Sequence, residues 1–123
     1  MKRIGFITTN KVLAQSLAAA VKNNPALGFE PFLLLDPRQA ALDAELLRID
    51  AALVDVGAVA GDTEAFCEAL RRAAPGCRLL LLVPQGGATG RGTAIRAVKS
   101  RAADDFVFCD TSLDYLFAKL ASM

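Results

Sequence analysis

Histidine is absent from the 123 residues, and the three cysteines, Cys67, Cys77 and Cys109, fall in no CxxC or Cys/His spacing. A structural zinc site draws on closely spaced Cys and His ligands, and a disulfide framework uses paired thiols, so neither is indicated. An excess of one charge is also missing: 14 Lys and Arg stand against 13 Asp and Glu. A net charge of +1 supplies no global field to draw in a phosphate backbone or an anionic lipid surface, so no nucleic-acid or membrane partner is expected. No apolar run reaches the roughly 18 residues that a membrane-spanning helix requires. Met1-Lys2-Arg3 leads into an apolar run that stops at Thr8, too short for a secretory leader and followed by no small-residue cleavage site. The expectation is a cytoplasmic protein with reduced thiols.

What is present is apolar side chain in quantity. At 54% hydrophobic and 22% charged residues, the chain carries too much apolar surface to remain disordered and must bury it in a core. Its length is near the commonest domain size, so residues 1–123 are expected to form one domain around one sheet or bundle.

The apolar residues come as short continuous runs separated by longer segments of helical period. Arg3–Ile7, Phe32–Leu35, Ala51–Val54, Leu79–Val83 and Asp105–Phe108 are such runs, and their lack of alternation predicts strands buried on both faces of a parallel sheet. Between them, Val12, Leu13, Leu17, Ala20 and Val21 recur at helical spacing behind Asn10, an N-cap residue. Pro37–Ile49 and Thr63–Ala74 predict a second and third helix, and Thr93–Ala102 a fourth. A fifth, capped by Thr111 or Ser112, carries Leu113, Leu116, Phe117 and Leu120 as one stripe. Regular alternation of strand and helix implies right-handed crossovers, hence a three-layer α/β fold with a doubly wound, five-stranded parallel sheet. Pro31 at the start of the second run suits an edge strand or a strand's first residue, which fits the flavodoxin-like order 2-1-3-4-5, where strand two is an edge. Gln85–Gly92, rich in glycine, is expected to be a flexible loop after strand four.

Sheets of this kind bind ligands beyond the carboxyl ends of their strands. There the sequence places Thr8-Thr9-Asn10, Asp55, Val83-Pro84 and Cys109-Asp110. Asp55 closes the central run, where it is either a functional carboxylate or a loop cap. Thr8-Thr9-Asn10 ahead of a helix could hold an anion on backbone N–H groups, although a capping Asn behind two strand-end threonines needs no ligand. Gly86–Gly92 follows the wrong strand for a Walker loop and lacks the Gly-Lys-Ser/Thr ending. With the basic neighbours Arg91, Arg96, Lys99 and Arg101, it is either a phosphate site or a surface loop beside a solvated helix.

Ala51-Ala-Leu-Val-Asp55-Val resembles the phosphoacceptor strand of response-regulator receivers of the CheY-like family. Arg3-Ile-Gly-Phe-Ile7, Ala102-Ala-Asp-Asp-Phe-Val-Phe108 and Thr111–Leu120 resemble that family's first strand, fifth strand and closing helix. The likeness runs the whole chain in consistent order. It implies that Asp55 occupies the acceptor position and Phe106 the aromatic switch position. The family's acidic pair falls on Thr8 and Thr9, its hydroxyl residue on Val83 and its lysine on Cys109, with Asp110 replacing the proline that follows. The loop at Gly86–Gly92 exceeds the receiver norm by about four residues, as functional loops often do.

Those replacements have a chemical meaning. Magnesium is held by carboxylates and phosphate oxygens, so two threonines leave Asp55 as its only charged ligand, and no metal or cofactor is expected. Phosphoryl transfer depends on positive charge around the equatorial oxygens, and both metal and ammonium are missing. Cys109, beside a carboxylate, is expected to be an unreactive, partly buried thiol. The resemblance therefore implies a degenerate receiver in two-component signal transduction, not an enzyme, that acts through a protein partner. A homodimer through the face of helix four, strand five and helix five, presenting Ile95, Val98 and Tyr115, is the expected mode. Two other readings stay open: a functional phosphoacceptor at Asp55, and a flavodoxin-like binder of a phosphorylated small ligand.

Overall fold

In the computed structural model, which describes residues 1–85 and 88–123, five parallel strands lie in the order 2-1-3-4-5. These are β1 Lys2–Ile7, β2 Phe29–Leu34, β3 Ala51–Asp55, β4 Arg78–Val83 and β5 Asp105–Phe108. Five helices connect and close them: α1 Lys11–Lys22, α2 Ala40–Leu46, α3 Thr63–Ala73, α4 Ala88–Lys99 and α5 Leu113–Ser122. The doubly wound architecture expected from the alternating runs is the one observed. β2 and β4 begin earlier than their apolar runs suggested, because the ladders extend to Lys2 opposite Phe29 and Ala51 opposite Arg78. Pro31 therefore sits inside β2, opposite Ile4, and is tolerated because β2 is an edge strand.

Strand residues alternate between two apolar layers. Ile4, Phe6, Leu53, Leu80, Leu82 and Val107 pack beneath α1 and α5, meeting Leu17, Val21, Leu116, Phe117 and Leu120. Ile7, Ala52, Val54, Leu79, Leu81 and Val83 pack on the other face against Ala44 of α2, Cys67 and Leu70 of α3, and Ala94 and Ala97 of α4. Burying a leucine or isoleucine stabilises by about 1.5–3 kcal/mol each, so these layers dominate the favourable side of folding. Gly5 is needed where β1 passes under Leu34 and Ile49: a Cβ there would lie 3.2 Å from Leu34 Cδ1 and 3.3 Å from Ile49 Cγ2. Val12 and Leu113, both assigned to apolar stripes by their spacing, are exposed instead, at the outward edge of α1 and the first turn of α5.

The helix boundaries show where local signals lost to packing. Asn10 Oδ1 accepts from Leu13 N at 3.1 Å, and Ser112 Oγ accepts from Tyr115 N at 3.1 Å, so α1 and α5 start at their capping residues. The segment expected as one helix over Pro37–Ile49 is a 3-10 turn, Pro37–Gln39, followed by the short α2. It stops because Arg48 takes a left-handed conformation, φ 53°, that turns the chain into β3.

The largest correction is α4. It begins at Ala88, not Thr93, so most of the expected glycine loop is helical. Gly86 and Gly87 lie outside the described residues. Gly90 and Gly92 weaken a helix by about 1 kcal/mol each relative to alanine, yet Ala94 and Ala97 are fully buried against the sheet and anchor the element. Thr93 Oγ1 also donates to Thr89 O at 2.9 Å within it. α4 ends early at Lys99, where Arg101 is left-handed at φ 66° and Ala103 N reaches back to Ala97 O at 3.1 Å. No helix among the described residues is long and apolar enough to cross a membrane.

Candidate functional site

The carboxyl ends of β1, β3, β4 and β5 deliver Thr8, Asp55, Val83 and, one residue beyond β5, Cys109. Thr8 and Asp55 meet directly. The Thr8 hydroxyl, 1% exposed, donates to Asp55 Oδ2 at 2.6 Å and accepts from Asn10 N at 3.1 Å. Asp55 Oδ1 accepts from Gly57 N at 3.1 Å, opening the 3-10 turn Val56–Ala58. Both carboxylate oxygens are thus engaged inside the chain. Among the described residues no Lys or Arg makes an ion pair with Asp55.

The other predicted positions are distributed less tightly. Thr9 is exposed and lines a separate cavity of ≈ 540 Å³ with Leu35, Asp36, Arg38 and Phe66. Val83 is fully buried, and its carbonyl accepts from Cys109 N at 2.9 Å. Phe106 is half-buried against the α4 side of the sheet, edge-to-face with Phe108 at 5.7 Å and 87°. Cys109 is exposed, contrary to the partly buried thiol expected. The reason is positional: β5 is an edge strand, and its first residue beyond the sheet lies past the covering helices. Cys109 Sγ accepts from Gln85 N at 3.1 Å, tying the end of β4 to the end of β5. Burial pushes the thiols of Cys67 and Cys77 up to about 12, against a downward pull from Arg71.

Two carboxylates that could have joined the pocket are used elsewhere. Asp36 caps its turn and pairs with Arg38. Asp62 caps α3, accepting from Glu64 N at 3.1 Å. Magnesium favours a cluster of carboxylate oxygens, and the residues here do not fit it: among the described residues Asp55 is the only carboxylate lining the pocket, and its oxygens already have donors. No group of three or more His, Cys, Asp or Glu that could hold a metal ion occurs among the described residues. The two donors that hold the strand ends, Gly57 N and Gln85 N, belong to the backbone and leave no residue-type signal in a sequence.

The expected pairing face is also redrawn. Tyr115 is exposed, but Ile95 is half-buried and Val98 packs against the core, so the apolar exposure comes from Phe108, Leu113 and Tyr115. Arg91 lies over the Phe108 ring at 6.0 Å and Lys119 over Tyr115 at 5.7 Å.

No protein-family model and no curated protein matches the sequence. Solved structures do match. A Burkholderia pseudomallei response regulator, solved with a phosphorylated aspartic acid, calcium and citrate, aligns over 99% of this chain and 69% of its own, with a TM-score of 0.79 and 24% identity. The beryllofluoride-activated NtrC4 receiver domain dimer aligns over 99% and 94%, with a TM-score of 0.78 and 21% identity. A protein assigned to pilus assembly in Burkholderia thailandensis aligns over 99% and 98%, with a TM-score of 0.73 and 19% identity. The chain has the fold of CheY-like response-regulator receivers, five parallel strands in the order 2-1-3-4-5 with five helices.

Proposed function

We propose that this domain is a pseudo-receiver, a protein-interaction module of bacterial-type signal transduction that works without magnesium-dependent phosphorylation of Asp55 and is not an enzyme. The observation that supports it is the closed hydrogen bonding of Asp55. The oxygens that would meet a metal or an incoming phosphoryl group instead accept from Thr8 Oγ1 and Gly57 N. Phosphoryl transfer relies on positioned positive charge, and Cys109 brings none. The likeness to a protein assigned to pilus assembly supports the same reading, in that this fold occurs in a protein named for an assembly role.

The deciding experiment exposes the purified protein to a small phosphodonor with magnesium and reads intact mass. The expected result is no adduct. An adduct mapped to Asp55 would overturn the proposal and install a working phosphoacceptor. The partner surface we favour is the α4-β5-α5 face, centred on Phe108, Leu113 and Tyr115, and the NtrC4 receiver dimer makes a second copy a reasonable occupant. Leu113→Glu and Tyr115→Glu should then each convert a dimer to monomer by light scattering, and a wild type that is monomeric at every concentration would remove the homodimer from the proposal.

A further inference from the structure

A cleft of ≈ 450 Å³ lies between the β3-α3 connection on one side and Pro84 and the first turns of α4 on the other, and its lining includes Asp62, Thr63, Thr93 and Arg96. Its size falls in the range of small-molecule sites, roughly 300–1,000 Å³. Val56, Val59 and Pro84 give it an apolar part. Glycines keep it open, since a Cβ on Gly57 would lie 3.3 Å from Pro84 Cγ.

Three features give the cleft chemical character. First, Thr63 is only 3% exposed, yet its hydroxyl has no hydrogen-bond partner among the described residues. Because no sealed side-chain polar atom among them is left unpaired, that oxygen keeps some access to solvent, and Thr63 lines the cleft. Second, Asp62 caps the 11-residue helix α3 that Thr63 begins, accepting from Glu64 N, so its carboxylate is held in place at the cleft. Third, Asp62 and Arg96 line the same cleft without forming an ion pair. Among the described residues Arg96 donates Nη2 to Thr93 Oγ1 at 3.3 Å and Asp62 caps Glu64 N, and neither makes another side-chain hydrogen bond. A full negative and a full positive charge therefore face one cavity unneutralised by each other, with a free hydroxyl beside the acid.

The geometry points to a binding site for a short zwitterionic peptide, its ammonium on Asp62, its carboxylate on Arg96 and a backbone amide on the Thr63 hydroxyl. A simple anion fits less well, because Asp62 already neutralises the start of α3. The site is separate from the Asp55 pocket but shares the Val56-Gly57 turn, whose Gly57 N also holds Asp55.

The test titrates ¹⁵N-labelled protein with triglycine, N-acetyl-triglycine and triglycine amide, following the backbone amides of Thr63 and Glu64 and the Arg96 side chain. Free triglycine should shift them saturably, and each capped form should bind about two- to fivefold more weakly, as exposed charge pairs allow. Asp62→Asn keeps the helix cap and should erase the preference for the free amine alone, while Arg96→Gln should erase the preference for the free acid alone. Thr63→Val should weaken all three peptides together. The proposal is overturned if triglycine gives no saturable shift, if a capped form binds as tightly as the free peptide, or if either charge variant keeps both preferences.

Discussion

Replacing Thr8 by valine removes the hydroxyl that holds Asp55 and keeps the side-chain shape, so the variant isolates one interaction. Thr8 is buried and its oxygen makes two bonds, 2.6 Å to Asp55 Oδ2 and 3.1 Å from Asn10 N. A hydrogen bond to a charged group contributes about 1.5–3 kcal/mol net and a neutral one about 0.5–1.5 kcal/mol. Asn10 is exposed and recovers a water, and Asp55 is half-buried and recovers one in part. The low end applies, a loss of about 1.5–2 kcal/mol. For a domain of this size that lowers Tm by about 6–8 °C. Urea unfolding should show a lower midpoint with an unchanged slope, since the surface exposed on unfolding is the same. In a double-mutant cycle with Asp55→Ala, the two losses should fall short of additivity by about 1–2 kcal/mol. A Thr8→Val protein within about 0.3 kcal/mol of wild type, in which Asp55→Ala costs as much as it does in the parent, would refute the claim that the hydroxyl closes the acceptor position.

Thr8→Asp puts a second carboxylate against Asp55, so the variant should melt below wild type in chelator and regain stability as magnesium is added, while the wild type stays indifferent to the metal; an equal response from both proteins would contradict the pocket described. Burial pushes the Asp105 carboxyl up, but the Lys119 hydrogen bond, the Phe106 N–H and the Lys119 charge outweigh it and hold it below 3.8. Its contribution is thus present above about pH 4 and lost as pH falls through the lower folded value, so Asp105→Asn should lower stability modestly at neutral pH and flatten the acid limb of the stability-pH curve, the two proteins converging at low pH. With a thiol reagent at mild alkaline pH, exposed Cys109 should react in the native protein, and buried Cys67 and Cys77, pushed up to about 12, only on unfolding; three rapid equivalents from folded protein would show that the core opens.

Much of the fold was legible because its signals are local and repeated. A run such as Leu79–Val83 could by its periodicity be a buried helix segment, but its short length and the Pro84 behind it favoured a strand of a covered parallel sheet. Pro31 then marked the edge strand, and the strand ends placed Asp55 at the switch point. Asn10 and Ser112 announced their helices because a cap acts within three residues. Other features depended on contacts between distant parts of the chain. α4 absorbs Gly90 and Gly92 because Ala94 and Ala97 bury against the sheet, a tertiary gain larger than the local penalty. Thr8 and Thr9 look alike in sequence, yet one turn of backbone sends the first to Asp55, 47 residues away, and the second to another cavity. Cys109 is exposed because β5 is an edge, and Asp62 and Arg96 share a cleft because α3 and α4 pack side by side. Local propensity and burial pattern therefore determined which elements exist and in what order, while packing across the sheet decided which side chains meet, because hydrogen bonds and clefts form between elements that only the closed fold brings together.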